Sequence, residues 1–188
     1  MSWLSQFSAR SRTDILVVCT GNVCRSPYIA ALLGAGLPEM TITSAGIRAA
    51  VGERPGSDIL RALALRNINA DFVPSQNVTT RMVRNARLIV TATRMHRVKV
   101  VALDPSACAR AFTLKELARV TSQEHPGRGL DAVVERGAAI ANSGETIDYD
   151  DDLADPFGHG WPAYKKMAAE VDFALTVLIP ALQSPSGN

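Results

Sequence analysis

The chain alternates short runs of consecutive apolar residues with stretches in which apolar positions return every three or four residues. A continuous apolar run of strand length predicts a strand buried on both faces, and the three-to-four spacing predicts an amphipathic helix. Residues 14–19 read as a buried central strand, followed at once by a loop and a helix over 27–33. Residues 40–44 and 88–91 and the weaker run 111–113 predict three more strands, while 57–66, 94–103, 114–121 and 128–142 predict helices. The final helix is the plainest, because Trp161, Tyr164, Met167, Val171, Leu175, Leu178 and Leu182 mark a single face. Strands alternating with helices in this order define an α/β sheet covered by helices. No repeat or linker divides it, and 188 residues suit a single core.

The ends read differently. Residues 1–12 hold four Ser, two Arg and no acid, lack a secretory apolar core, and are expected to form a flexible arm on which Trp3, Leu4 and Phe7 share one side of a short turn. Residues 13–183 form the expected domain and 184–188 a frayed tail. No apolar run approaches the roughly 20 residues of a membrane span, so no membrane association is expected. Three cysteines are too few for a disulfide framework, which points to a reducing compartment and a cytoplasmic location. A net charge of +2 and 5% aromatic residues offer no nucleic-acid footprint. Charge is nonetheless segregated: the stretch 81–99 is basic, whereas Asp148, Asp150, Asp151, Asp152 and Asp155 crowd one loop.

The chemistry concentrates in Cys19-Thr20-Gly21-Asn22-Val23-Cys24-Arg25-Ser26-Pro27, where the central strand ends and a helix begins. Open α/β sheets bind ligands at such a place. Ser26 reads as the helix N-cap and Pro27 as its first residue, so the preceding loop curls around the helix terminus with its N–H groups inward and cradles an anion. Gly21 allows tight turns, Asn22 tolerates a positive φ, and Arg25 offers a planar fork to two phosphate oxygens. Those inward dipoles and Arg25 favour the thiolate of Cys19, making it a nucleophile. No Walker lysine and no metal-ligand spacing appears, so attack by sulfur rather than by metal-activated water is expected. A phosphocysteine route also needs a carboxyl group serving as acid and then as base. Asp155, stiffened by Pro156, is suited to this, but composition alone leaves Asp148, Asp150, Asp151 and Asp152 as rivals.

The loop from Cys19 to Pro27, Ser44-Ala45-Gly46 and the late Asp155-Pro156 together resemble the low-molecular-weight protein tyrosine phosphatases of bacterial type, over residues 14–182. The resemblance implies a three-layer domain with a four-stranded parallel sheet and a phosphate-binding loop after the first strand. It implies hydrolysis of phosphotyrosine without a cofactor, with Cys19 as nucleophile, Arg25 as clamp and Asp155 as acid and base. The loop residues Thr20, Gly21, Asn22, Val23, Cys24 and Ser26 would bind phosphate; Ser26 would also stabilise the sulfur, and Asn22 and Ser44 would brace the loop. Ile47, Arg48 and Phe157 would line the substrate rim, with Arg48 and Arg54 favouring acidic peptides. Val23 favours an aryl phosphate, where similar phosphoarginine phosphatases tend to carry Thr. The stretch 72–77 departs from the His and Arg-Gln of many members, so one bracing hydrogen bond is expected to be missing. The resemblance favours a reversible protective disulfide between Cys24 and Cys19; Cys108 is expected to be packed or half-exposed, and His96, His125 and His159 to be surface or capping residues.

Expected partners are phosphotyrosine proteins or peptides, among them tyrosine kinases of polysaccharide export or host proteins, for a monomer or weak dimer. Two rivals remain. An arsenate reductase of this fold needs two further cysteines close together, and only Cys108 is available. A phosphate-binding scaffold without turnover would have no use for nucleophile, clamp and acid together.

Overall fold

The computed structural model describes residues 12–69, 74–122, 127–142 and 150–183. The expected arm (apart from Arg12), the tail, Phe72, Val73, His125 and Asp148 lie outside them. Four strands, β1 (Thr13–Cys19), β2 (Ile42–Gly46), β3 (Ala86–Thr91) and β4 (Ala111–Thr113), form a parallel sheet in the order β2-β1-β3-β4. The helices are α1 (Arg25–Gly36), α2 (Ser57–Ala64), α3 (Thr80–Asn85), α4 (Arg94–Leu103), α5 (Leu114–Thr121), α6 (Leu130–Asn142) and α7 (Gly160–Leu182), with a 3-10 helix over Pro105–Arg110. Among the described residues no helix is long and apolar enough to cross a membrane.

Period-two alternation along β1 divides the core. Ile15, Val17 and Cys19 face the larger cluster with Tyr28, Ile29 and Leu33 of α1 and Met167, Val171 and Leu178 of α7. Leu16 and Val18 face the smaller one with Val83, Val100 and Ala107. Ile15 through Val18 are fully buried, and at roughly 1.5–3 kcal/mol for each such side chain this strand anchors both layers.

Several boundaries move for identifiable reasons. Parallel pairing with β1 carries β2 to Gly46, opposite Cys19, past the small residues Ala45 and Gly46 that carry little strand signal. The Asp14 carboxylate accepts from Thr41 N–H (2.9 Å) just before that pairing begins. Asn67 in the left-handed region (φ 55°) follows the end of α2, and Gly129 (φ 100°) delays the start of α6. Neither α3 nor the 3-10 helix is anticipated by periodicity; both are too short to show it.

Because β2 lies on one side of β1 and β3 on the other, successive crossovers diverge at the carboxyl end of β1. That crevice belongs to the loop 19–25.

Candidate active site

Only five residues separate β1 from α1, and Asn22 makes the turn by adopting φ 56°. Its amide Nδ2 donates to Ser26 Oγ (3.0 Å) and Ser44 Oγ (2.9 Å), and its Oδ1 accepts from Gln76 N–H (3.1 Å). The outer edge of the loop is pinned as a strand would be. Ile47 N–H donates to Cys19 O, Arg48 N–H to Thr20 O, and Ala50 N–H to Gly21 O, at 2.9 to 3.1 Å. In a trans peptide the N–H points opposite to its carbonyl, so the amides of Thr20, Gly21 and Asn22 turn to the inside of the loop. This produces an anion cradle.

The helix begins earlier than the N-cap reading implies. Arg25 is its first residue and Cys24 its N-cap, with no side-chain cap, so Ser26 lies inside the first turn and Pro27 occupies a position whose N–H has no helical partner. The Ser26 hydroxyl, accepting from Asn22, is freed to direct its hydrogen at Cys19 Sγ, 2.9 Å away, or at Ala45 O, 3.4 Å away. Cys19 itself is 2% exposed.

The steric constraint falls on Gly46 rather than Gly21. A Cβ on Gly46 would lie 2.4 Å from Thr20 O and 3.0 Å from Asn22 N, whereas one on Gly21 would meet only Val23 at 3.4 Å. Gly46→Ala should destabilise the fold by about 1–3 kcal/mol and weaken phosphate binding, read by thermal unfolding with and without phosphate. An unchanged Tm and phosphate affinity would show that the loop tolerates displacement.

The stretch 74–77 supplies the bracing that its departure from the family pattern puts in question. Ser75 Oγ donates to Gly21 O (2.8 Å), and Gln76 gives its N–H to Asn22 and its Nε2 to Ser44 O (3.1 Å).

Arg25 is buried with its guanidinium across the mouth. Nη1 donates to Leu153 O (3.1 Å), and Nη2 to Thr20 Oγ1 (3.2 Å) and to Asp155 Oδ2 (2.5 Å). Its Nε is buried without a hydrogen-bond partner. A buried guanidinium N–H left open costs free energy unless a ligand fills it, and a tetrahedral anion in the cradle would do so.

The acidic loop sorts its carboxylates. Asp151 pairs with Arg119 (2.9 Å), Asp152 accepts from Arg94 N–H (2.7 Å), and Asp155 reaches Arg25; Asp150 is exposed. Leu153 N–H bonded to Ala92 O (2.9 Å), just past β3, and Lys115 Nζ bonded to Asp152 O (3.0 Å) hold this loop against the carboxyl end of β3 and α5. Phe157 is 67% exposed beside the site, Arg48 and Arg54 are exposed, and Val23 and Ile47 are half-buried, each leaning partly on a core cluster. Cys24 packs its thiol against Tyr164 Oη (3.4 Å); burial raises its pKa, and the Tyr164 hydrogen bond offsets part of that rise. Cys108, expected to be packed or half-exposed, is exposed on the 3-10 helix leading into the start of the edge strand β4, whereas Cys19 lies at the carboxyl end of the inner strand β1. His159 is exposed.

His96 is not a surface histidine. It is 3% exposed, with Nε2 2.9 Å from Thr20 Oγ1 and Nδ1 2.7 Å from Thr93 Oγ1. Sequence reasoning missed it because Thr93 and Arg94 open a helix that looks solvated on charge alone; the signal was the four-residue step from His96 to Val100, the two buried positions of that helix. Burial, then the charge of Arg25, lowers its pKa to about 4 against the opposing pull of Asp155 and Asp152. Between about pH 6.5 and 4 the unfolded chain binds a proton that the folded one does not, so this contribution is complete above pH 6.5 and is lost as pH falls. About 3 kcal/mol should disappear by pH 4, and denaturant unfolding of His96→Gln should show a shallower acid decline than wild type; identical curves would refute the assignment.

A parallel α/β sheet, an amide-lined loop at its switch point, a buried thiol and a buried arginine define a phosphatase of the phosphate-loop class. The family model described as low molecular weight phosphotyrosine protein phosphatase matches residues 14–131, and the chain belongs to that family. It is 35% identical over 103 residues to the probable low molecular weight protein-tyrosine-phosphatase EpsP of Ralstonia solanacearum, covering 55% of this chain and 71% of that one. It is 30% identical over 171 residues to the protein-arginine-phosphatase of Geobacillus stearothermophilus, covering 90% and 96%. The crystal structure of the Erwinia amylovora tyrosine phosphatase AmsI shares the fold, with a TM-score of 0.71, 24% identity and coverage of 92% and 94%.

Proposed function

We propose that this chain hydrolyses phosphotyrosine in proteins or peptides through a phosphocysteine. The carrying observation is the buried Nε of Arg25, a donor without a partner at the rim of a loop whose amides point inward. A phosphoryl group there accepts from those amides and from Arg25 Nε and Nη2, replacing the Asp155 carboxylate. The Cys19 sulfur attacks phosphorus, the bond to the tyrosine oxygen breaks, and Asp155 gives its proton to that oxygen. Water then attacks the phosphocysteine and yields a proton to Asp155, while the electron pair of the breaking bond returns to sulfur, which Ser26 supports.

The similarity to an arginine phosphatase along most of the chain supports a second reading, in which the phosphoryl donor is phosphoarginine. Val23 at the loop and the exposed Phe157 beside Asp155 favour the aryl ester, because both offer apolar contact and neither can hydrogen-bond a guanidinium. With matched peptides, kcat/KM for phosphotyrosine should exceed that for phosphoarginine by at least about tenfold. The reverse order assigns the second reading, and turnover of neither points to a scaffold. Capture of phosphopeptides by Cys19→Ser then identifies the sequences preferred by Arg48 and Arg54, with polysaccharide-export kinases as one class to include.

A further inference from the structure

We propose that His96 is a positioning residue for the Arg25 guanidinium, acting through the Thr20 hydroxyl that stands between them. The inference rests on the reading of Arg25 as the phosphate clamp. An arginine only donates, so Thr20 Oγ1 accepts from Nη2 at 3.2 Å and keeps one hydrogen to place. Among the described residues, the acceptor that lies within hydrogen-bond reach of that hydrogen is His96 Nε2, at 2.9 Å. Nε2 is therefore the bare nitrogen, and Nδ1 carries the proton and donates to Thr93 Oγ1 at 2.7 Å. Thr93 in turn caps α4 by accepting His96 N–H at 3.2 Å, which fixes the ring on a rigid element. The line Thr93, His96, Thr20, Arg25 thus runs in one donor direction, and it turns a lone pair of Thr20 toward the guanidinium.

This arrangement answers a need specific to the site. Arg25 has to keep its orientation when an entering phosphoryl group displaces Asp155, its other Nη2 partner. Once Asp155 leaves, Thr20 Oγ1 and Leu153 O are the protein acceptors that hold the fork in plane. A protonated His96 would instead donate to Thr20 and bring a second cation toward Arg25; burial and Arg25 itself oppose that state, and the facing carboxylates Asp155 and Asp152 only partly offset them. The neutral ring costs nothing in charge and supplies direction.

The test is a double-mutant cycle on the full chain. His96→Ala and Thr20→Val should each lower kcat/KM for para-nitrophenyl phosphate about tenfold and weaken inorganic phosphate binding by a similar factor. Together they should also cost about tenfold, because both cut the same line. His96→Gln, whose amide oxygen can reach Thr20 as Nε2 does, should recover most of the loss, whereas His96→Asn should not. A nitrogen-15 spectrum of the wild-type ring should show a bare Nε2 and a protonated Nδ1. A multiplicative loss near 100-fold in the double variant, equal loss in Gln and Asn, or a protonated Nε2 would each overturn the proposal. If His96→Ala does not fold, Thr20→Val with and without His96→Asn closes the same cycle. Failure of the clamp reading is separate: Arg25→Lys would then keep its phosphate affinity, whatever the cycle gives.

Discussion

Cys19→Ser is expected to reduce hydrolysis of para-nitrophenyl phosphate by at least about 10⁴-fold while inorganic phosphate still binds within about threefold of wild type. The two halves come from different parts of the molecule. Turnover needs a sulfur that attacks phosphorus and can leave again, and a serine oxygen does neither well. Binding needs the frame, which is carried by Asn22, Ser44, Ser75, Gln76 and the backbone bonds from Ile47, Arg48 and Ala50, none of which involves the Cys19 side chain. Isothermal titration with phosphate beside a steady-state assay checks both. Residual turnover above about one part in a hundred would place the nucleophile elsewhere, and loss of binding together with turnover would mean that the sulfur supports the loop.

Asp155→Asn should produce two effects of opposite sign. With phenyl phosphate, whose leaving oxygen needs a proton, kcat should fall about 10²–10⁴-fold, and with a dinitrophenyl ester, whose leaving group does not, it should fall much less. Inorganic phosphate should meanwhile bind more tightly, by several-fold, because the carboxylate 2.5 Å from Arg25 Nη2 competes for the same donor and repels an incoming dianion. The Asp155 side chain is 46% exposed, so its pairing with Arg25 is readily exchanged for a ligand. A uniform loss across leaving groups, or the same signature from Asp152→Asn, would move the acid to another residue.

Much of this was legible in the chain before any coordinates. The continuous apolar run ending at Cys19, followed by Gly21, Asn22 and Arg25, located both the central strand and the loop, because one strand's burial and one turn's backbone demands are local properties. The spacing of apolar positions gives helices 94–103 and 114–121 their observed limits, where Thr93 and Thr113 cap them. What failed was non-local. Ser26 looks like a cap in sequence, and only the proximity of Cys19 and Asn22 gives its hydroxyl another use. Gly46 is constrained by a carbonyl 26 positions away, and His96 by a hydroxyl 76 positions away, contacts that no periodicity encodes. The acidic run could not rank its own members; Arg119 and Arg94, on other elements, engage Asp151 and Asp152, and Asp155 is the one that meets Arg25.

The segment that carries Asp155 is tied to Ala92, to Arg94 and to Lys115, all on the body of the domain. Among the described residues, a carboxylate mounted this way has no flap to swing. It can arrive by rotation about side-chain bonds, over picoseconds to nanoseconds, whereas hinged covers elsewhere take microseconds to milliseconds. Catalysis in this molecule should therefore proceed at a pace that thickening the solvent with sucrose leaves almost untouched.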